Sequence, residues 1–185
     1  MTVTDIALLL VRIMLAAVFI IHGGQKLFGW MGGGKVKGTI EMVGRSGVLP
    51  AHQTALAWLA IFSEFGGGVL ALLGLLTPLA AALIISVMLV AIRTVHFKNG
   101  WLNGNRGVEF NLSLIALALV LVLLGGGALS VDHLLGLAVS IDHMPVYVPV
   151  LLALVMLGGL GTTELSKAMN HGGHPAEQPA AANRH

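Results

Sequence analysis

The chain has no cysteine and few charges, and both shortages narrow what it can be. Without cysteine it holds no disulfide, no thiolate metal ligand and no redox-active thiol of its own, so any thiol chemistry must come from a partner. Only 10% of its 185 residues are charged, against 56% hydrophobic, which is far outside the range of soluble domains. A soluble fold of this size could not hide that much hydrocarbon. Also missing are an HExxH or comparable metal motif, a GxGxxG or Walker A context around the glycines, and an assembled nucleophile constellation. No metal site and no nucleic-acid partner are expected. The first apolar run is preceded by no Lys or Arg and followed by no small-residue cleavage pattern, so it reads as a retained helix rather than a signal peptide.

What is present is a series of apolar runs. A helix needs about 20 residues to cross ~30 Å of hydrocarbon, and five stretches approach that length: Ile6–His22, Ala55–Leu76, Leu79–Phe97, Val108–Gly125 and Val146–Gly161. Thr77-Pro78 alone separates the second from the third, which predicts a tight helical hairpin with Pro in a first turn. The fifth run is short and begins among Pro145 and Pro149. Asn170–His185 has no apolar period and reads as a disordered tail, its His171, His174 and His185 solvated rather than metal-bound. The Asp132-His133 and Asp142-His143 pairs read as solvated loop residues for the same reason: adjacent side chains do not converge on a metal by themselves.

Charge placement orients the chain. Numbering five spans in order puts Lys26, Lys35, Lys37, Arg45, Lys98, Arg106, Lys167 and Arg184 on one side and no Lys or Arg in the opposite loops. Basic loops face the cytoplasm, so the expectation is a multi-pass bacterial inner-membrane protein with its N-terminus outside and its C-terminus in the cytoplasm.

A charge near the bilayer centre costs at least ~2.5–3.5 kcal/mol, which makes intramembrane ionisable groups the first functional candidates. Arg12 lies ten residues before His22 and Glu64 nine after Ala55, which predicts matched depth and a buried Arg12–Glu64 ion pair. It would serve either as a register-fixing salt bridge or as the floor of a polar pocket. Near the other ends of the helices, His22 and Lys26 share a face at i,i+4, Arg93 and His96 share one at i,i+3, and Glu109 opens the fourth helix. His22, Lys26, Arg93, His96 and Glu109 are therefore the ligand-binding candidates, weighed against plain interfacial anchoring. Gly67 and Ala71 form a small-xxx-small pair suited to close helix packing.

Several segments together resemble a known family. Arg12 to Gly29, RIMLAAVFIIHGGQKLFG, is similar to the opening signature of DoxX proteins, whose first helix carries an Arg and ends in a His-Gly-x-x-Lys-Leu-type turn. EFGGGVLALLGLLTPLAA, starting at Glu64, resembles their Glu-x-x-Gly-Gly helix and Leu-Gly-x-x-Thr hairpin; His96 with Gly100, Gly107 with Glu109, and GGGALSVD ending at Asp132 follow in the family's order. The likeness covers about Leu8 to Leu135. It implies an all-α, polytopic transmembrane bundle: a four-helix DoxX-like core over residues 1–135, an additional membrane or membrane-associated helix over 136–167, and a tail over 168–185. It also implies a membrane component of a quinone-linked or oxidative-stress redox system, an oxidoreductase subunit with a quinone as ligand and a soluble redox enzyme as partner. A homo-oligomer is compatible with this reading. Two other classes stay open: a small-solute transporter using the Arg12–Glu64 level as a midplane site, and a non-catalytic scaffold holding soluble enzymes at the membrane through the Phe28–His52 loop.

Overall fold

A computed structural model describes residues 1–137. The fifth apolar run, the Asp142-His143 pair and the C-terminal tail lie outside the described residues.

The first helix, α1 (Val3–Leu27), starts at a capping box: the Thr2 hydroxyl accepts from the Asp5 N–H while the Asp5 carboxylate accepts from the Thr2 N–H. It runs five residues past His22. A short amphipathic helix, α2 (Lys35–Arg45), follows, with Lys35, Lys37, Glu41 and Arg45 exposed and Val36, Thr39, Ile40 and Val43 turned inward. Its inward residues have the i, i+3, i+4, i+7 spacing of a helix lying along a surface, in a segment expected to be a loop. Next comes α3 (Pro50–Ile61), opened by Pro50 in its first turn, which passes through a π-helical turn at Phe62–Gly66 into α4 (Gly67–Leu73). α5 (Thr77–Ala91) continues through a second π-helical turn at Ile92–His96, and α6 (Glu109–Leu124) and the single-turn α7 (Val131–Leu134) end the described chain.

Three continuous helices are long and apolar enough to cross a membrane, Val3–Leu27, Pro50–Leu73 and Thr77–Asn99, and α6 is a shorter apolar helix of 16 residues. The described chain is thus an all-α polytopic bundle. In it α1 packs on α4 and α6, α5 packs on α4 and α6, and α2 packs on α3 and on α1. The shared core is small and, Phe19 apart, aliphatic: Leu15, Phe19, Ala71, Ala80, Ala81, Ile84, Leu114, Ala118 and Leu121. Large apolar side chains such as Leu10, Met14, Phe62, Leu72 and Leu123 remain exposed, as expected of a surface whose solvent is lipid.

Glycines set how α1 meets the second span. A Cβ on Gly23 would lie 2.5 Å from the Phe65 backbone nitrogen, and one on Gly68 would lie 2.9 Å from that of Ile20. Gly67 faces Leu83 and Ile84 of α5, and Ala71 is fully buried, so this small-residue stretch serves helix packing. Close approach at Gly23 and Gly68 fixes one register. It brings Glu64 beside the C-terminal end of α1 and the last turn of α4 beside Arg12.

Candidate functional site

Two polar clusters are buried in the bundle, one toward each end, and the expected Arg12–Glu64 pair is not among them. Arg12, 2% exposed, spends its guanidinium on four backbone carbonyls: Nε donates to Ala71 O (2.9 Å), Nη2 to Leu72 O (2.6 Å), and Nη1 to Gly126 O (3.1 Å) and Leu129 O (2.7 Å). Beside it Asp132, expected in a solvated loop, is buried. Its carboxylate accepts from the N–H groups of Leu76 (2.7 Å) and Thr77 (2.8 Å) and from the Thr77 hydroxyl (2.6 Å), which caps α5 and holds Leu76 at φ 47°. Asp5 joins the loop to α1 by accepting from Ala128 N–H (2.9 Å). Arg12 and Asp132 thus tie the α4–α5 hairpin to the α6–α7 loop. The depth argument failed because the glycine-set register, not the ends of the apolar runs, determines which residues sit side by side.

Glu64 instead pairs with Lys26, fourteen residues further along α1 than Arg12 and so ~21 Å away along the helix axis. Lys26 binds Glu64 Oε1; the other oxygen, Oε2, is buried and has no hydrogen-bond partner. Both sit on a cavity of about 380 Å³ in the half of the bundle nearest the basic loops. Its walls are mainly apolar, with Val18, Phe19, Leu56, Leu59, Val87, Met88, Phe110 and Leu114 among them, and α2 contributes Met42 and Val43. The polar lining consists of His22, Lys26, Ser46, Ser63, Glu64, Ser86, Thr94, His96, Asn103 and Asn111. Ser86 and Thr94 return their hydroxyls to the carbonyls of Ala82 and Val90 on their own helix, and Asn111 donates to the Met88 sulfur at 3.3 Å. Both π-helical turns contribute to the wall, the first through Ser63 and Glu64 and the second through Thr94, Val95 and His96. Such turns widen a helix locally and recur at functional sites.

Of the five ligand candidates, the structure brings His22, Lys26 and His96 onto this cavity. Arg93 and Glu109 are exposed and outside its lining; the Glu109 carboxylate accepts from the Asn103 N–H at 2.9 Å. His96 Nδ1 lies 2.6 Å from the Arg106 carbonyl oxygen, which also accepts from Asn99 Nδ2. Glu64 belongs to this group rather than to Arg12, and Asn111 was not singled out. A lone Asn inside the apolar run of α6 was the available signal, because a buried amide in a membrane helix needs a partner.

The DoxX family profile matches residues 7–97. CatD of Bacillus subtilis (strain 168), provisionally named an oxidoreductase, is 32% identical over 128 residues, covering 69% of this chain and 86% of CatD. The chain belongs to the DoxX family. The inner membrane protein YqjF of Escherichia coli (strain K12) is 31% identical over 134 residues, covering 71% of this chain and 93% of YqjF. No solved structure matches the chain. Arg12, Glu64 and His96 all fall inside the matched DoxX segment, whereas Asn111 and Asp132 lie beyond it.

Proposed function

We propose that this DoxX-family membrane protein is the quinone-binding component of a redox system, with the cavity beside Lys26 and Glu64 taking the headgroup. The observation that carries the reading is the contrast inside that cavity: aliphatic and aromatic walls on most sides, and a few ionisable groups gathered at one end, including a buried carboxylate oxygen without a partner. Small-molecule sites are built this way, apolar for volume and polar at a few points for orientation. The apolar wall suits an isoprenoid tail and the His22, Lys26, Glu64 and His96 end suits the ring oxygens.

Interconverting a quinone and its hydroquinone moves two electrons and two protons. Carboxylate and imidazole groups exchange the protons near neutral pH. The electrons pass to or from a soluble redox enzyme docked at the membrane, and the provisional oxidoreductase name of CatD is in keeping with that role. The basic loops at the cavity end suit a cytoplasmic location for it. The transporter reading used Arg12 and Glu64 as one midplane level, and these residues sit at different levels with different partners.

Titrating the purified full-length protein in nanodiscs with a short-chain ubiquinone or menaquinone analogue tests the proposal. Saturable quenching of tryptophan fluorescence, weakened by His96→Ala, is expected. Partition-like, unsaturable quenching that is the same in the variant contradicts it.

A further inference from the structure

The two faces of α2 have different neighbours. Val36, Thr39, Ile40 and Val43 face inward as the helix packs on α1 and α3, and Met42 and Val43 form part of the cavity wall. Lys37, Glu41 and Arg45 form an outer stripe at i, i+4 and i+8, with Lys35 in the first turn. All four are exposed, and the three cations make no ion pair among the described residues, so the outer face is net positive. α2 joins the ends of two spans, Val3–Leu27 and Pro50–Leu73, which puts it at headgroup depth. The turn before it exposes Phe28, Trp30 and Met31, with the Phe28 and Trp30 rings stacked at 5.4 Å. Exposed aromatic rings beside basic residues are the composition of a membrane interface. The other end of the bundle has no exposed Lys or Arg among the described residues.

By itself α2 is a weak helix. It has 11 residues, two of them Gly38 and Gly44, and Gly34 before it supplies no side-chain cap. Helices this short are marginal in water even with better formers, and each glycine weakens them further. Packing on α1 and α3 supports the inner face, which leaves the cationic outer face to be supported from outside the chain.

We infer that the outer face of α2 docks anionic phospholipid headgroups through Lys35, Lys37 and Arg45, and that this docking holds the helix against the bundle beside the cavity. The long Lys and Arg stems carry their charges to the phosphates. An anionic leaflet strengthens association by roughly fivefold for each cation near its surface, whereas a zwitterionic one has no net charge to do so. Glu41 is repelled by the same surface and offsets part of the gain. With anionic lipid in place α2 stays folded on α1 and α3. Without it the helix frays more often, and the Met42 and Val43 side of the cavity loosens with it.

The test is amide hydrogen exchange of the full chain in nanodiscs made of phosphatidylcholine alone or of phosphatidylcholine mixed with phosphatidylglycerol. Peptides covering Lys35–Arg45 are expected to exchange at least about fivefold more slowly in the mixed discs, while α6 exchanges alike in both. Substituting Lys35→Gln, Lys37→Gln and Arg45→Gln together, all at exposed positions, should bring the two discs to within about twofold of each other. Glu41→Gln should widen the difference, which a merely structural role for the stripe would not do. Lys98→Gln with Arg106→Gln removes exposed cations of the α5–α6 loop and should leave the protection of α2 unchanged. Equal exchange of α2 in the two discs, or a phosphatidylglycerol effect that survives the triple substitution, overturns the inference. An effect abolished by the loop substitutions alone moves the lipid site to that loop and overturns it equally.

Discussion

The two buried clusters at opposite ends of the bundle use the same residue types to different ends. In the N-terminal half of α1, the cation Arg12 is buried close to the carboxylate Asp132, which lines a hollow of about 280 Å³, yet the polar atoms of both are taken up by the chain itself: four carbonyls on the guanidinium, three donors on the carboxylate. At the other end, Lys26 and Glu64 pair along one edge only and leave an oxygen free at a larger cavity. Satisfaction separates the two. A saturated network holds backbone segments together, and adding a ligand to it breaks bonds already made. A half-satisfied one is a cost the fold carries until something else binds. Among the described residues, Glu64 Oε2 is the buried side-chain oxygen left in that position.

The comparison is broken most severely at Arg12. Arg12→Leu leaves carbonyls of Ala71, Leu72, Gly126 and Leu129 without their donor inside the bundle, and a loss of roughly 3–5 kcal/mol is expected. Accumulation in membranes and thermal unfolding in detergent should both collapse. Gly23→Ala comes next. Its Cβ meets the Phe65 backbone, which has no flexible end to give way, so overpacking of about 1–3 kcal/mol is expected, read as a lowered Tm. Lys26→Gln should cost less, on the order of 1 kcal/mol, because the Lys26 side chain is 23% exposed and its carboxylate partner borders a cavity that admits water.

The smallest expected effect on stability sharpens the comparison by giving its two ends a direction. Asn105→Cys and Leu134→Cys place single thiols in a cysteine-free chain at exposed positions on opposite ends of the bundle. With the basic loops in the cytoplasm, a membrane-impermeant thiol reagent added to intact cells labels Leu134→Cys and spares Asn105→Cys; the reverse pattern inverts the proposed orientation.

How much of this was legible beforehand follows from the kind of information each feature needs. The four apolar runs marked the spans of the core, because hydropathy is a local property, and the resemblance of Arg12–Gly29 and Glu64–Ala81 to DoxX segments marked the family. α2 was missed, the segment being read as a loop: Val36, Thr39, Ile40 and Val43 have helical spacing between charged neighbours, but the surrounding glycines obscured it. The partners of Arg12 were not. They are backbone carbonyls, which carry no residue identity, and they face Arg12 only because helix ends and a loop converge there. Glu64 was misplaced for a related reason. Helix register depends on where Gly23 and Gly68 admit a neighbouring backbone, and on a π-helical turn at Phe62–Gly66 that residue counting at a uniform rise does not foresee. His22, Lys26 and His96 were placed near one membrane surface by counting from helix ends, which is reliable there because errors in register accumulate with distance from the end.

The division of labour between the two carboxylates is tested most directly by measuring stability and quinone-analogue affinity together in Asp132→Asn and Glu64→Gln. Asp132→Asn removes the charged cap of α5 and should lower Tm, by the equivalent of about 1–2 kcal/mol, while leaving affinity within about twofold. Glu64→Gln should do the opposite, changing Tm little and shifting quinone-analogue affinity at least about tenfold. If Asp132→Asn abolishes binding in protein that remains folded, or Glu64→Gln destabilises the bundle while binding persists, the assignment of one end to architecture and the other to ligand is wrong.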